Sequence, residues 1–580
     1  MRNVSTSRYY IIFGVYMLIA GLILYRLFIL SYVRHNDYQR TAISQKDSIS
    51  NVLTRGNIYF QDLKSSQGDN QSGAYLAATN KKFPLVQVNP AMMTGVNIDK
   101  ISTDLASILG GDIEKLKGFF VGGENRYKVI QRRLTNEQVD KIKSLGIKGL
   151  SIAYETDRFY PGGILGSDVL GFLGYDKNGR SGQYGIEEYY NEQLFGKPES
   201  STKAGPNSIT DVFTRWFSGK SDDSGKIIRR PSDVVLTIDK NIQSYIETVL
   251  TDLLKKWDAE KGTIIVEDPT TGKILAMADR PTFDPNKYSE AKTSLFLNSA
   301  TQESFEPGSS FKPVTMSSGI DLAKITPDST FTDTGFVTIG GFTIRNFNQQ
   351  SFGTVSMSKV LEKSINTGVM YVENLVGDEN FLNYVINMGF GQRTDIDMPG
   401  ELAGDITNLY SGRKINYLTA SFGQGIAVTP IQLINAYAAI ANGGKLMRPY
   451  LVDKVIKEGG EVVTTQPSIV GIPISDKTST KLKTMLISVI DNGFDKARIK
   501  GYDVAGKTGT AQMSDGKGGY IENVFIHDFM GFAPGYNSKF VILIKMDKPK
   551  GVTYASDSLS PTYREIASFL INYFNIPPTR

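Results

Sequence analysis

The sequence predicts an α+β chain with a single N-terminal transmembrane helix, an elongated N-terminal region, and a C-terminal domain with a central antiparallel sheet flanked by helices. Three observations predict it. Residues 9–33 form one long apolar run. Residues 34–196 mix short strand-like and helical stretches. From residue 233 two strand-like runs come first, helical stretches follow, and further strand-like runs and a last helix close the chain. That order is expected when helices cover both faces of one antiparallel sheet.

Taken in order, residues 1–33 read as a cytoplasmic stub and membrane anchor. Tyr9 to Tyr25 carries no charge, and the apolar run resumes after Arg26 to reach Val33. Such a length spans a bilayer with some tilt, and Arg26 lies near one end, where its side chain can reach the headgroups. A cleaved signal peptide would have a shorter apolar region and a small-residue cleavage pattern after it. Arg2 and Arg8 before the run and Arg34 and Arg40 after it give only a weak charge bias. Residues 34–196 form the second region. There Asn97 to Leu116 and Asn136 to Leu145 show helical apolar spacing, and glycine-rich turns dominate Pro161 to Gly185. Residues 197–232, rich in Ser, Gly, Lys and Asp, read as a linker or insertion. Inside it Ile209, Val212, Phe213, Trp216 and Phe217 make one apolar helical face. Packing on a neighbouring part of the chain is the leading reading of that face, with a membrane surface or partner as the alternative. The fourth region, 233–580, opens with the strand DVVLTI and a helix from Lys240 to Trp257. A hairpin turns at Pro269-Thr270-Thr271-Gly272. VAGKTGTAQ, DFMGFAP and KFVILIKMD read as further strands, and a terminal helix is expected from Thr562 to Phe574.

Composition narrows the chemistry. The chain has no cysteine, so disulfides, thiolate nucleophiles and Cys-ligated zinc are excluded. Its only histidines are His35 and His527; a metal site or a Ser-His-Asp triad has little to draw on, and His527 reads as a surface or strand residue. The net charge of +5 on 580 residues, without basic runs interleaved with aromatics, gives no reason to invoke nucleic acid. No cofactor is implied.

Three short motifs occur in order: Ser309-Ser310-Phe311-Lys312 within FEPGSSFKP, Ser364-Ile365-Asn366, and Lys507-Thr508-Gly509 followed by Thr510. Each alone is weak. Ser-x-x-Lys recurs at Ser200, Ser289, Ser356, Ser411 and Ser514, mostly in polar stretches. Together, with their order and with Pro307-Gly308 setting a helix start before Ser309, they become specific. A serine hydroxyl needs a base to become a nucleophile, and with histidine nearly absent lysine is the candidate. Three residues apart on a helix share a face, so Lys312 can serve Ser309. Burial and a second cation, Lys507, would keep Lys312 neutral. Ser364 can relay a proton, and Asn366 can hydrogen-bond Lys312 and the substrate amide. Lys507, Thr508, Gly509 and Thr510 offer a cation and hydroxyls on a strand edge, suited to a terminal carboxylate. Backbone N–H groups of Ser309 and Thr510 would bind the oxyanion.

These residues resemble the serine acyl-transferases that bind penicillin. Over nearly its whole length the chain is similar to class B penicillin-binding proteins, monofunctional peptidoglycan D,D-transpeptidases. RGNIYFQD from Arg55, RFYPGG from Arg158, GQYGIEEYYNEQLFGK with Glu187, SFGQGIAVTPIQLINAYAAIANGG and MGFAPGYNSKFVILIKMDKPKG carry the likeness beyond the three motifs. The resemblance implies a dimerisation-like pedestal at 34–196 and a transpeptidase domain at 233–580. It also implies a Ser309 acyl-enzyme formed with loss of terminal D-Ala, and covalent inhibition by β-lactams. The implied partners are peptidoglycan stem peptides, a SEDS-family glycosyltransferase and other wall-synthesis membrane proteins. The implied location is the cytoplasmic membrane, single-pass, with the N-terminus cytoplasmic and the catalytic domain outside. Ser-x-Asn at 364–366 and Glu306-Pro307-Gly308-Ser309 look more like division-type than elongation-type members. The alternatives are a D,D-carboxypeptidase and a non-catalytic scaffold for wall synthesis. A β-lactamase would share the motifs, but is usually a compact soluble domain without a long N-terminal region.

Overall fold

The structure, a computed structural model, describes residues 55–64, 73–93, 95–121, 127–177, 179–196, 231–514 and 519–580, together with seven positions between Phe13 and Tyr25. Those seven are helical and exposed. The rest of the apolar run 9–33, and the face from Ile209 to Phe217, lie outside the described residues. Among the described residues no helix is long and apolar enough to cross a membrane.

The chain divides into two compact units. The smaller joins Met1–Thr54 to Asn80–Asp157; the larger joins Arg55–Thr79 to Arg158–Arg580. In chain order the first elements are β1 (Ile58–Gln61), β2 (Ala74–Val88), α1 (Ile98–Leu109), α2 (Ile113–Phe120), β3 (Lys128–Gln131), α3 (Asn136–Ser144) and β4 (Leu150–Phe159). In the smaller unit the C-terminal half of β2 pairs with β3, matching Val86 with Gln131. Its core gathers Val86, Val88, Ile101, Leu105, Leu116, Phe120, Val139 and Ile142. The single helix expected over 97–116 is two. Gly110 and Gly111 adopt φ of +75° and +105°, a region that glycine enters without steric cost. The Asp112 side chain then accepts from Glu114 N at 2.9 Å and starts α2. The helix expected over 136–145 is α3, its start closed by a reciprocal cap between Thr135 and Gln138.

In the larger unit β1 runs antiparallel to the first half of β2 and parallel to β5 (Asp233–Asp239). Just ahead of β1, three segments distant in sequence meet on one carboxylate. Arg55 Nε donates to Glu187 Oε2 at 2.7 Å, Arg158 Nε donates to Glu187 Oε1 at 2.7 Å, and Tyr160 OH donates to the same oxygen at 3.1 Å. Arg158 NH1 also donates to Gly56 O at 2.7 Å. All four side chains are buried. Burial pushes the Glu187 carboxyl up, but Arg158 and Arg55 outweigh it and hold it below its usual value of 4.5. Its contribution is therefore fully present above the ordinary carboxylate range and is lost as pH falls through the depressed value. Removing one partner of such a set leaves charge buried and uncompensated, so Arg158→Ala is expected to cost about 3–5 kcal/mol. Denaturant unfolding measures it. A loss of only about 0–1 kcal/mol would equate the set with an exposed salt bridge.

Among the further sheets of the larger unit, one of five strands is central to the C-terminal part. After β5, the Asp239 carboxylate accepts from Asn241 N and Ile242 N and starts α4 (Lys240–Trp257). Strands β6 (Lys261–Glu267) and β7 (Ile274–Arg280) form the expected hairpin, turned by Gly272 at φ +80°. Helices α5 (Lys312–Asp321), α6 (Asn366–Val376) and α7 (Pro430–Ala441) follow. Strands β8 (Ala505–Ser514), β9 (Tyr520–Ala533) and β10 (Phe540–Asp547) then precede α8 (Ala555–Tyr573). The sheet order is β8-β9-β10-β6-β7, antiparallel throughout. Residues of α4 and α8 join one apolar cluster with alternate strand residues such as Ile264, Phe529 and Ile542. Residues of α5, α6 and α7 join another with Ile265, Met530 and Leu543. The alternation of β-strand side chains thus gives the sheet two buried faces. Helix α8 begins seven residues before the expected Thr562. Pro561 sits inside it, and the turn ahead of the proline is held by burial of Ala555, Ser558 and Leu559.

Candidate active site

Ser309 lies on a 3-10 turn, Gly308–Phe311, that runs directly into α5. Two glycines make that turn possible. Gly308 has φ +55°, and its N–H donates to Gly423 O at 3.0 Å. A Cβ on Gly423 would come within 2.2 Å of Gly308 O, so the two backbones approach more closely than any side chain allows. A Cβ on Gly308 would lie 3.3 Å from Ala511 Cβ, which seats the turn against β8. Ser309 is half-buried. Its neighbour Ser310 is buried, donates its hydroxyl proton to Pro307 O at 2.8 Å, and has its own carbonyl held by Tyr437 OH at 2.6 Å.

Lys312 is fully buried. Its Nζ donates to Ser364 O at 2.5 Å, Ser364 Oγ at 3.1 Å and Asn366 Oδ1 at 2.7 Å; none of these bonds goes to Ser309. Ser364 has φ +54°, an uncommon conformation for a non-glycine residue. It stands just ahead of α6, whose first residue is Asn366. Lys507, fully buried on β8, donates to the same Ser364 Oγ at 3.1 Å and to Thr508 O at 3.0 Å. One hydroxyl therefore sits between two amines. Desolvation, then the charge of Lys507, pushes Lys312 well below 10.5. Desolvation lowers Lys507 to about 7, against the opposing pull of Asp528. The arrangement supplies a neutral amine, a relay hydroxyl and a second amine able to hold or release a proton near neutrality.

The three motifs, 55 and 143 residues apart, thus converge. Thr508 is buried on β8. Gly509 must be glycine: a Cβ there would come within 2.1 Å of Asp528 Oδ2 and 2.5 Å of Pro307 O. Thr510 Oγ1 accepts from Ala555 N at 3.1 Å, tying the strand to the start of α8. Supporting residues escaped sequence reading. Asp333 accepts from Thr367 Oγ1 at 2.6 Å and from Asn346 Nδ2 at 2.9 Å, and Asn346 Oδ1 accepts from Thr367 N at 3.1 Å. These bonds fix the start of α6, and so the place of Asn366. No local spacing announces such partners. His527 is a strand residue, as expected, but a buried one. It bonds Ser558 Oγ at 2.8 Å and Thr553 O at 3.1 Å, and burial lowers it to about 4. Neither partner is a motif residue.

Residues 262–568 match the penicillin binding protein transpeptidase domain, and residues 52–206 match the penicillin-binding protein dimerisation domain. The chain is 33% identical to stage V sporulation protein D of Bacillus subtilis, over 82% of this chain and 73% of that protein. It is 29% identical to the peptidoglycan D,D-transpeptidase FtsI homolog of Mesostigma viride, over 83% of each. Among solved structures, penicillin binding protein 3 of Mycobacterium tuberculosis complexed with aztreonam superposes with a TM-score of 0.64 at 28% identity, covering 74% of this chain and 92% of that one. A peptidoglycan synthetase from Bifidobacterium adolescentis gives 0.67 at 25% identity, covering 91% and 96%. The three motifs lie within the matched transpeptidase domain, and by that match and by its likeness to stage V sporulation protein D the chain belongs to the class B penicillin-binding proteins, the serine-type D-Ala-D-Ala transpeptidases.

Proposed function

We propose that this chain cross-links peptidoglycan stem peptides through an acyl-enzyme on Ser309. The observation that carries the reading is the pair of bonds joining Lys312 and Lys507 to one Ser364 hydroxyl, beside the Ser309 turn. Neutral Lys312 takes the Ser309 proton as Oγ attacks the carbonyl of the penultimate D-Ala. The C–N bond to the terminal D-Ala breaks, and the leaving amine takes a proton from the Ser364 hydroxyl, which takes the one held by Lys312 in its place. An amine from a second stem peptide then attacks the ester, a new amide forms, and Ser309 recovers its proton. Asn366 holds Lys312 and the substrate amide. Lys507, Thr508, Gly509 and Thr510 present a strand edge and a cation to the terminal carboxylate, and the N–H groups of Ser309 and Thr510 bind the oxyanion. A β-lactam enters by the same attack, with its strained amide opened instead.

The same proposal takes residues 9–33 as a single-pass anchor in the cytoplasmic membrane, N-terminus inside, with pedestal 34–196, insertion 197–232 and transpeptidase domain 233–580 outside. What supports it is the 25-residue apolar run. A SEDS-family glycosyltransferase would supply the strands to be cross-linked, and the Ser364-Ile365-Asn366 motif favours a division role. The test is product analysis with lipid-linked precursor, a polymerase and this protein together. Cross-linked peptides, absent when penicillin is added, are the expected result. Stem peptides trimmed of D-Ala but not joined would make the chain a carboxypeptidase. Unchanged products alongside an unlabelled protein on a fluorescent-penicillin gel would leave only a scaffold.

A further inference from the structure

The face of the sheet that meets the Ser309 turn carries a line of polar residues. In register across all five strands stand Gly509, Asp528, Lys545, Thr263 and Asp279. The four with side chains are each no more than 4% exposed. The parallel row two residues along is Lys507, Met530, Leu543, Ile265 and Met277, apolar apart from its first member. A buried charge without a partner is costly, and most of the line is partnered. Thr263 Oγ1 donates to Asp279 Oδ1 at 2.6 Å, and Ser299 N to Asp279 Oδ2 at 2.6 Å. Lys545 Nζ gives bonds of 2.5 and 2.7 Å to the two oxygens of Asp547. Asp528 is the exception: neither carboxylate oxygen has a hydrogen-bond partner among the described residues. Ser310, beside it, spends its proton on Pro307 O.

We propose that Asp528 is a positioning residue for acylation, a buried carboxylate opposite Gly509 that keeps the Lys507 side chain in its charged form against Ser364. It acts through Lys507 and touches no substrate. The groups facing it are Lys507 from β8, Lys545 from β10 with Asp547 already bound to it, Ser310 from the nucleophile turn, and Tyr437 from α7. Since Lys545 is engaged by Asp547, Lys507 is the cation whose protonation Asp528 governs. The influence passes on: a charged Lys507 is what keeps Lys312 neutral, after burial itself. Burial raises Asp528 to about 7, and Lys507 stands at about 7, so near neutral pH the two compete for one proton.

The inference rests on the reading of Ser309 and Lys312 given above, and the experiment separates the two. The acylation rate of the full-length protein in detergent by a fluorescent penicillin is measured across pH for wild type, Asp528→Asn and Asp528→Ser. Lys507 must be charged for acylation, so its titration sets the alkaline limb. Without the nearby carboxylate that limb is expected to move down by ~1 pH unit, cutting the rate at a pH on the limb about tenfold. Melting temperatures are expected to hold or rise, because an unpartnered buried carboxylate has been removed. A limb that stays in place overturns the inference. So does failure of both variants to fold, which would make Asp528 a structural element only. A wild-type protein that takes no label overturns the Ser309 reading instead.

Discussion

Replacing Ser309 by alanine is expected to abolish covalent labelling by fluorescent penicillin, while Ser310→Ala keeps substantial labelling. The two hydroxyls are adjacent in sequence, yet the structure gives them different tasks. Ser310 is buried and bonded to Pro307 O at 2.8 Å, so its loss loosens the turn without removing a reacting atom. Ser309 is half-buried at the start of α5, three residues before Lys312. A covalent intermediate has no bond to form without its nucleophile, so the effect of Ser309→Ala is a complete loss. Labelling that survives in Ser309→Ala and disappears in Ser310→Ala would exchange the two assignments.

The second large effect is expected at the base. Lys312→Met removes the amine while keeping its length and apolar stem, and acylation is expected to slow by about 100- to 10,000-fold. The fold is expected to survive. Met leaves Ser364 O and Asn366 Oδ1 without a donor, at about 1–3 kcal/mol each, but it also relieves the desolvation of an amine that is completely buried. Single-turnover labelling measures the rate, and circular dichroism checks the fold. The wild-type rate is expected to rise with pH as Lys312 loses its proton, well below 10.5. That rising limb should be absent from Lys312→Met. A near-normal rate in the variant would show that Lys507 withdraws the Ser309 proton through Ser364, the one hydroxyl both amines reach.

The Arg55–Glu187 pairing joins two of the motifs that carry the family likeness. Both residues lie in motifs quoted for the resemblance, and they meet at 2.7 Å in the interior. The second arginine, Arg158, stood in another of those motifs, RFYPGG, without its role being apparent. Nothing in the local sequence says that Arg158 and Arg55, 103 positions apart, share one carboxylate. Buried charges are held in place by partners, and partners are chosen by the folded chain.

What the sequence determined by itself was local in its physics. Order, spacing and the proline–glycine punctuation around Ser309 need only a turn, a helix start and a strand to make sense. Asn136–Ser144 and Lys240–Trp257 were legible because a capping side chain and an apolar period are written within a few residues. The tertiary structure decided the rest. It turned Lys312 towards Ser364 and Asn366, broke 97–116 at Gly110, and carried α8 back past Pro561 to Ala555. It also placed Asp528 opposite Gly509, which depends on the register of the β8–β9 pair. A one-residue slip there would turn the carboxylate to the other face of the sheet. Periodicity reports which side of an element is buried; which group it meets there is fixed only when strand register and helix packing are settled together.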